Sequence, residues 1–163
     1  MTRLLKRAIS IAAITLLLVV SATAGTALAE DIPPPPLISG KAAMLINADS
    51  GRVLYSFNQD ERLPMASTTK MMTALLVIED ISDLNSGVTV SQRAAEVGES
   101  SIWLTAGETQ TVHEMLTGLL VQSGNDAAMA LAEFDAGSME AFVEKMNKRA
   151  QELGLNNTHF ANP

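Results

Sequence analysis

The sequence predicts an α/β fold, in which an antiparallel β-sheet begins with an N-terminal hairpin and is flanked by helices. Residues 41–58 contain two apolar runs around the turn residues Asp49, Ser50 and Gly51, which is the pattern of a β-hairpin. From residue 111 onward the chain carries consecutive helical patterns with clear start and stop signals. We expect these helices to form an all-helical subdomain beside the sheet.

Capping residues position the helices along the chain. Thr111 is followed three residues later by a glutamate, which is a capping-box pattern. Ser138 is a typical N-cap, and Gly137 and Gly154 are typical of positions just beyond a helix end. Three glycines break up the stretch between residues 82 and 110, where short strands or turns and one short helix are expected. Helices are therefore predicted over residues 68–80, 111–122, 126–137 and 138–154.

The first 29 residues have the organisation of a secretory signal peptide. A basic start is followed by an apolar run over residues 8–20 and by an Ala-Leu-Ala site that ends at Ala29. An uncleaved membrane anchor is the alternative, but the apolar run is shorter than the roughly 20 residues that a span requires. Cleavage after Ala29 is therefore predicted, and it implies an exported protein of the periplasm or cell envelope.

The composition of the exported chain argues against several classes of binding partner. A proline-rich tether is predicted over residues 30–40, before the fold begins. Removal of residues 1–29 leaves eight basic and 18 acidic residues, a net charge of −10, which argues against binding to nucleic acid or to anionic lipid. The absence of cysteine excludes a disulfide framework and a lipid-modified cysteine.

The sequence contains no recognised metal-binding or phosphate-binding motif, so no cofactor and no metal is predicted. His113 and Glu114 begin like a zinc-protease helix, but residue 117 is threonine where the second histidine would be required. There is no glycine-rich phosphate loop. The chain has two histidines, and His113 lies in the first turn of a predicted helix, where a surface role is favoured over catalysis.

Ser67 and Lys70 are separated by one helical turn and form the pattern Ser-x-x-Lys. A serine at the start of a helix lies where free N–H groups favour developing negative charge. A lysine one turn deeper is desolvated, and because burial disfavours its charged form it can act as a base toward the serine. The pair alone is weak evidence, because Ser67 could equally be a helix cap and Lys70 a solvated side chain.

A second polar group, Ser123-Gly124-Asn125, interrupts two predicted helices 56 positions after Ser67. Together, the hairpin, the Ser-x-x-Lys motif at a helix start and the later Ser-Gly-Asn resemble the penicillin-recognising serine enzymes. The segments over residues 46–79 and 121–133 look like those of the low-molecular-mass D-alanyl-D-alanine carboxypeptidases. The resemblance covers residues 41–163 and implies a fold of the penicillin-binding type.

That resemblance implies a role for each matching residue. Ser67 is expected to be the acyl nucleophile and Lys70 the base that takes its proton. Ser123 is expected to carry a proton to the leaving D-alanine, and Asn125 to hold the backbone of the substrate. The implied oxyanion hole combines the backbone N–H of Ser67 with one from a later strand. The implied partners are peptidoglycan stem peptides and β-lactams, and the implied reaction removes the terminal D-alanine through an acyl-serine.

The third family motif, Lys-Thr-Gly, does not occur in the 163 residues. Residues 41–163 are therefore expected to be the N-terminal part of an incomplete catalytic domain, which by itself would be unstable or inactive. Membrane association is expected only through a missing C-terminal region. Two alternatives stay open at this point: a β-lactamase on the same scaffold, and a noncatalytic envelope protein that binds peptidoglycan or β-lactams.

Overall fold

The computed structural model describes residues 34–163, so the predicted signal peptide lies outside the described residues. Residues 34–40, in the predicted tether, are exposed and belong to no helix or strand. The fold divides into two compact units, one that ends at Phe57 and one that begins at Asn58. Each unit is described by itself.

The described part of the first unit is the predicted hairpin. Strands β1 (Ala43–Ile46) and β2 (Val53–Phe57) pair in an antiparallel register, with a bulge near Ile46. Gly51 has a left-handed φ of +69°, which the turn requires and which glycine adopts without steric cost. The sequence-based prediction of a hairpin is confirmed, including its turn.

The second unit contains the predicted helices and a short two-stranded sheet. A 3₁₀ turn over Ala66–Thr68 leads directly into the first helix. The elements that follow are α1 (Thr69–Asp80), β3 (Gly87–Thr89), α2 (Gln92–Ala95), β4 (Thr109–Thr111), α3 (Val112–Val121), α4 (Asn125–Ala136) and α5 (Met139–Glu152). Strands β3 and β4 pair in an antiparallel register.

The helix ends follow the capping residues of the sequence. The side chains of Thr111 and Glu114 form both halves of a capping box at the start of α3. The Ser138 hydroxyl accepts a hydrogen bond from the backbone N–H of Ala141, 3.1 Å away, at the start of α5. Gly137 has a φ of +80° and ends α4, which is the conformation expected just beyond a helix.

Helix α4 is the centre of the second unit. It packs against the other four helices and against β3, and residues 126–132 are all buried. Its small alanine side chains let the neighbouring helices approach closely, while Leu131 and Met129 fill the spaces between them. The first residues of α4 therefore belong to a helix that is packed on several sides. Within residues 34–163, no helix is both long and apolar enough to cross a membrane.

Candidate active site

Ser67 lies in the 3₁₀ turn before α1, and its hydroxyl caps no helix. The residue before it, Ala66, has a left-handed φ of +46°, a conformation that costs a non-glycine residue roughly 1–2 kcal/mol. The Ser67 hydroxyl instead accepts a hydrogen bond from the Ser123 hydroxyl, 2.7 Å away. The alternative interpretation of Ser67 as a helix cap is wrong.

Ser123 reaches Ser67 from the turn between α3 and α4. Its φ of +60° is also left-handed, which directs the chain sharply from one helix into the next. Gly124 follows in close contact with its surroundings, because a Cβ there would lie 2.9 Å from Oδ1 of Asp126 and 3.3 Å from Cγ2 of Ile102. The turn that carries Ser123 is thus tightly packed against the beginning of α4.

Lys70 is buried in the first turn of α1, with 7% of its surface exposed, and it is not the solvated side chain of the alternative interpretation. Its Nζ donates a hydrogen bond to Oδ1 of Asn125, 2.6 Å away. Burial lowers the pKa of Lys70 from its ordinary value, and the negative charge of Glu99 partly opposes that shift. The side chain therefore loses its proton more readily than an exposed lysine does.

The side-chain amide of Asn125 has a fixed orientation because both of its ends are bonded. While Oδ1 faces Lys70, Nδ2 donates to the carbonyl oxygen of Gly98 at 3.0 Å. The backbone N–H of Asn125 also donates to the carbonyl oxygen of Ser100 at 2.8 Å. The loop over residues 98–104 therefore positions the amide next to Lys70.

Asp126 anchors the same loop, a role that the sequence analysis did not identify. Its carboxylate, 1% exposed, accepts hydrogen bonds from the Ser101 hydroxyl at 2.6 Å and from the backbone N–H groups of Ile102 at 3.1 Å and Leu104 at 3.0 Å. Burial by itself would raise the pKa of Asp126, but these hydrogen bonds outweigh it and the pKa is lowered. An aspartate in a first helical turn is ordinarily explained by the helix dipole, so its sequence position gave no sign of this network.

Ser67, Lys70 and Asn125 border a cleft with a volume of about 540 Å³. The cleft is lined by Ala66, Ser67, Thr69, Lys70, Val97, Glu99, Asn125, Met129, Asn162 and Pro163.

In residues 34–163, no three histidine, cysteine, aspartate or glutamate side chains are grouped to hold a metal ion. A hydroxyl, a second hydroxyl bonded to it and a buried amine with a lowered pKa are the groups needed for nucleophilic attack without histidine.

Among the solved structures that the chain resembles are penicillin-binding proteins and a DD-transpeptidase. The chain superposes on penicillin-binding protein 5 from Haemophilus influenzae with a TM-score of 0.75 and 35% identity, over 81% of this chain and 40% of that chain. It superposes on a Streptomyces K15 DD-transpeptidase mutant with a TM-score of 0.74 and 34% identity, over 78% of this chain and 54% of that chain. These structures define the fold class as penicillin-binding, which confirms the prediction from the sequence.

The comparison of sequences identifies a narrower group of proteins than the comparison of folds does. The model of the D-alanyl-D-alanine carboxypeptidase family, peptidase S11, matches residues 12–163, so the chain belongs to this family. It is 52% identical to the D-alanyl-D-alanine carboxypeptidase DacF of Bacillus subtilis over 127 residues, 76% of this chain. It is 39% identical to DacC of Escherichia coli over 142 residues, 81% of this chain. The chain spans 33% of the length of DacF and 36% of the length of DacC.

Proposed function

We propose that the protein is a serine-type D-Ala-D-Ala carboxypeptidase, which removes the terminal D-alanine from peptidoglycan stem peptides. The observation that carries this proposal is the hydroxyl pair Ser67–Ser123, bonded at 2.7 Å and bordered by the buried amine of Lys70. The relatives named as D-alanyl-D-alanine carboxypeptidases supply the substrate class. Export to the cell envelope, where peptidoglycan lies, is part of the same proposal.

The first step forms an acyl-serine. Ser67 Oγ attacks the carbonyl carbon of the penultimate D-alanine, and the Ser67 proton moves to Nζ of Lys70 in its neutral form. The bond to the terminal D-alanine nitrogen then breaks, and Ser123 passes its proton to that nitrogen while it takes the proton held by Lys70. D-Alanine therefore leaves as an amine, and Lys70 is neutral again. Ser123 is proposed for this transfer because its hydroxyl lies 2.7 Å from Oγ of Ser67, the atom that attacks the substrate.

Asn125 is the residue proposed to hold the substrate in the cleft. Its amide borders the cleft beside Lys70, and the bonds to Lys70 and to the Gly98 carbonyl fix its orientation before the substrate arrives. A fixed amide can pair with the peptide backbone of the substrate at little entropic cost. The backbone N–H of Ser67 is proposed to be one donor to the oxyanion.

The second step releases the acyl group to water. Attack on the ester carbonyl by water, with Lys70 as the base, restores the Ser67 hydroxyl and frees the shortened peptide. β-Lactams would acylate the same serine, because their strained amide presents a carbonyl carbon to it. Because one solved relative is named as a DD-transpeptidase, transfer of the acyl group to an amine is the alternative to hydrolysis.

The test uses the full-length protein that the gene encodes and the peptide Nα,Nε-diacetyl-L-Lys-D-Ala-D-Ala. We expect release of one D-alanine per peptide by the wild type and none by Ser67→Ala, whose fold is checked by circular dichroism. Addition of an amine acceptor separates hydrolysis from transfer, since a transferred peptide has a new amide bond that mass spectrometry detects. Equal D-alanine release by Ser67→Ala would refute the proposal.

A further inference from the structure

Glu99 is the one acidic residue among those of residues 34–163 that line the cleft containing Ser67. Its negative charge acts on the buried amine of Lys70, so the carboxylate lies close enough to the reacting groups to influence them. Within the described residues, no donor forms a hydrogen bond with that carboxylate. The two oxygens of Glu99 are therefore open to a ligand at the wall of the cleft.

The backbone of Glu99 is held in a conformation that its residue type rarely adopts. Its φ of +67° is left-handed, which is uncommon for a residue that has a Cβ. Asn125 fixes both neighbours, because its Nδ2 donates to the Gly98 carbonyl at 3.0 Å and its backbone N–H donates to the Ser100 carbonyl at 2.8 Å. Strained conformations persist where the surrounding structure holds them and are frequent at functional sites, so a role for Glu99 in the cleft is indicated.

The second step of the proposed reaction needs a water molecule in a defined orientation. A lone pair of the water must point at the ester carbon of the acyl-serine while one water proton points toward Lys70. A second acceptor, bonded to the other proton, fixes the rotation of the water. Oδ1 of Asn125 already bonds to Lys70 at 2.6 Å, whereas the Glu99 carboxylate is a strong acceptor without a partner in the described residues.

We propose that Glu99 is a further catalytic residue, which holds the hydrolytic water of the second step. This inference rests on the proposed function, because it names the residue that orients the water in that reaction. The water oxygen bonds to the ester carbon, one water proton moves to Nζ of Lys70, and the other stays hydrogen-bonded to Glu99. When the bond from that carbon to Ser67 Oγ breaks, the proton on Lys70 moves to Oγ, and the peptide leaves as a carboxylic acid with the remaining proton.

The charge of Glu99 also acts on Lys70, so the test separates the two effects. Removal of that charge lowers the pKa of Lys70 further, which alters the reactive fraction of the amine only below the pH where it is fully neutral. Acylation of the full-length protein by benzylpenicillin is therefore measured against pH until wild type and Glu99→Gln both reach a plateau. Deacylation is then measured on the plateau, as the loss of the penicilloyl mass from isolated acyl-protein.

The readout is the change in deacylation relative to the change in acylation. We expect Glu99→Gln to slow deacylation about ten- to hundredfold more than acylation, because the water loses the orientation that the site supplies. Glu99→Asp keeps a carboxylate on a shorter side chain and should recover part of the loss. Glu99→Gly accommodates the left-handed backbone without a carboxylate and should deacylate as slowly as Glu99→Gln.

Two carboxylates that do not line the cleft are the matched controls. Glu96 lies three residues earlier, and its carboxylate accepts a hydrogen bond from Gln92 at 2.6 Å. Glu144 is exposed on α5. Glu96→Gln and Glu144→Gln should leave both rates at their wild-type values. Deacylation that changes no more than acylation in Glu99→Gln, or that slows as much in Glu96→Gln, would overturn the role of Glu99.

The penicilloyl measurement separates this inference from the proposed carboxypeptidase activity, because it needs no D-Ala-D-Ala peptide. Selective slowing of deacylation in Glu99→Gln supports the water site even if no D-alanine is ever released. D-Alanine release by a protein whose Glu99→Gln variant deacylates at the wild-type rate would keep the carboxypeptidase and reject the water site. A full-length protein that forms no acyl-serine would overturn both.

Discussion

Ser123 donates a hydrogen bond to Ser67, with 2.7 Å between the two hydroxyl oxygens, although the residues are 56 positions apart. Because Ser123 supplies the proton of this bond, the proton of Ser67 is free to be directed elsewhere. The buried amine of Lys70 borders the same cleft and is bonded to Asn125. The two serines and the lysine thus form one group whose members can be tested separately.

Replacement of Ser123 by alanine removes the proposed proton carrier while the Ser67 nucleophile stays. We expect acylation by a fluorescent penicillin to slow by about 10²-fold, because proton transfer by a positioned group contributes about 10²- to 10⁴-fold. Stopped-flow labelling of the full-length protein measures this rate. Ser82→Ala, at an exposed position before β3, is the matched control and should label at the wild-type rate. A wild-type rate in Ser123→Ala would exclude the role.

Lys70→Arg keeps a cation but removes the base. A guanidinium stays protonated at every accessible pH, so it cannot accept the Ser67 proton. We expect acylation to fall by about 10³-fold or more, at all pH values between 6 and 10. Lys148→Arg makes the same exchange at a side chain that is 77% exposed and should have no effect. Substantial labelling by Lys70→Arg would show that the proton goes to another group.

The pH dependence of acylation should respond to Glu99. Burial lowers the pKa of Lys70, whereas the Glu99 charge raises it, so removal of that charge lowers the pKa further. The neutral amine is the reactive form, and acylation therefore rises with pH through the pKa of Lys70. In Glu99→Gln this rise should move to lower pH, while in Glu144→Gln it should not move. A rise that moves to higher pH in Glu99→Gln would contradict the assignment of the base.

Asp126→Asn should destabilise the protein, because an amide nitrogen would replace one of the oxygens that accept N–H and O–H donors. We expect a loss of about 2–4 kcal/mol in the free energy of unfolding at pH 7, measured with urea. Since the folded pKa of Asp126 is lowered, its contribution is present above the unfolded carboxyl pKa and is lost as pH falls through the folded value. The difference between wild type and Asp126→Asn should therefore shrink below about pH 4.

A constant difference across that pH range would show that the Asp126 carboxylate is not the charged acceptor of these bonds. Asp60→Asn, which changes an exposed aspartate, is the control and should alter the free energy of unfolding by less than about 0.5 kcal/mol.

The fold could be predicted well where local chemistry determines it. The capping box at Thr111, the N-cap Ser138 and the left-handed Gly137 mark helix ends through interactions within a few residues. The hairpin turn before β2 is determined in the same local way. These elements could therefore be predicted from the sequence, and their observed bounds differ from the predicted ones by one or two residues.

The site could be predicted only in part from the sequence, because the residues that support it make contacts between distant segments of the chain. Ser67, Lys70, Ser123 and Asn125 could be selected through motifs. In the structure Ser67, Lys70 and Asn125 line one cleft, and Ser123 bonds to Ser67. The supporting groups are backbone carbonyls of Gly98 and Ser100 and the buried carboxylate of Asp126. Backbone atoms have no sequence signature. A turn-rich segment with glycine also gave no indication that it would fold against the start of α4.

The central claim is that Ser67 is the acyl nucleophile. The most direct measurement is mass spectrometry of the full-length protein after reaction with benzylpenicillin, followed by digestion and mapping of the adduct. The account predicts one penicilloyl group per molecule, on the peptide that contains Ser67, and no adduct on Ser67→Ala. An adduct on another residue, or no adduct on a wild-type protein that unfolds cooperatively in urea, would contradict it.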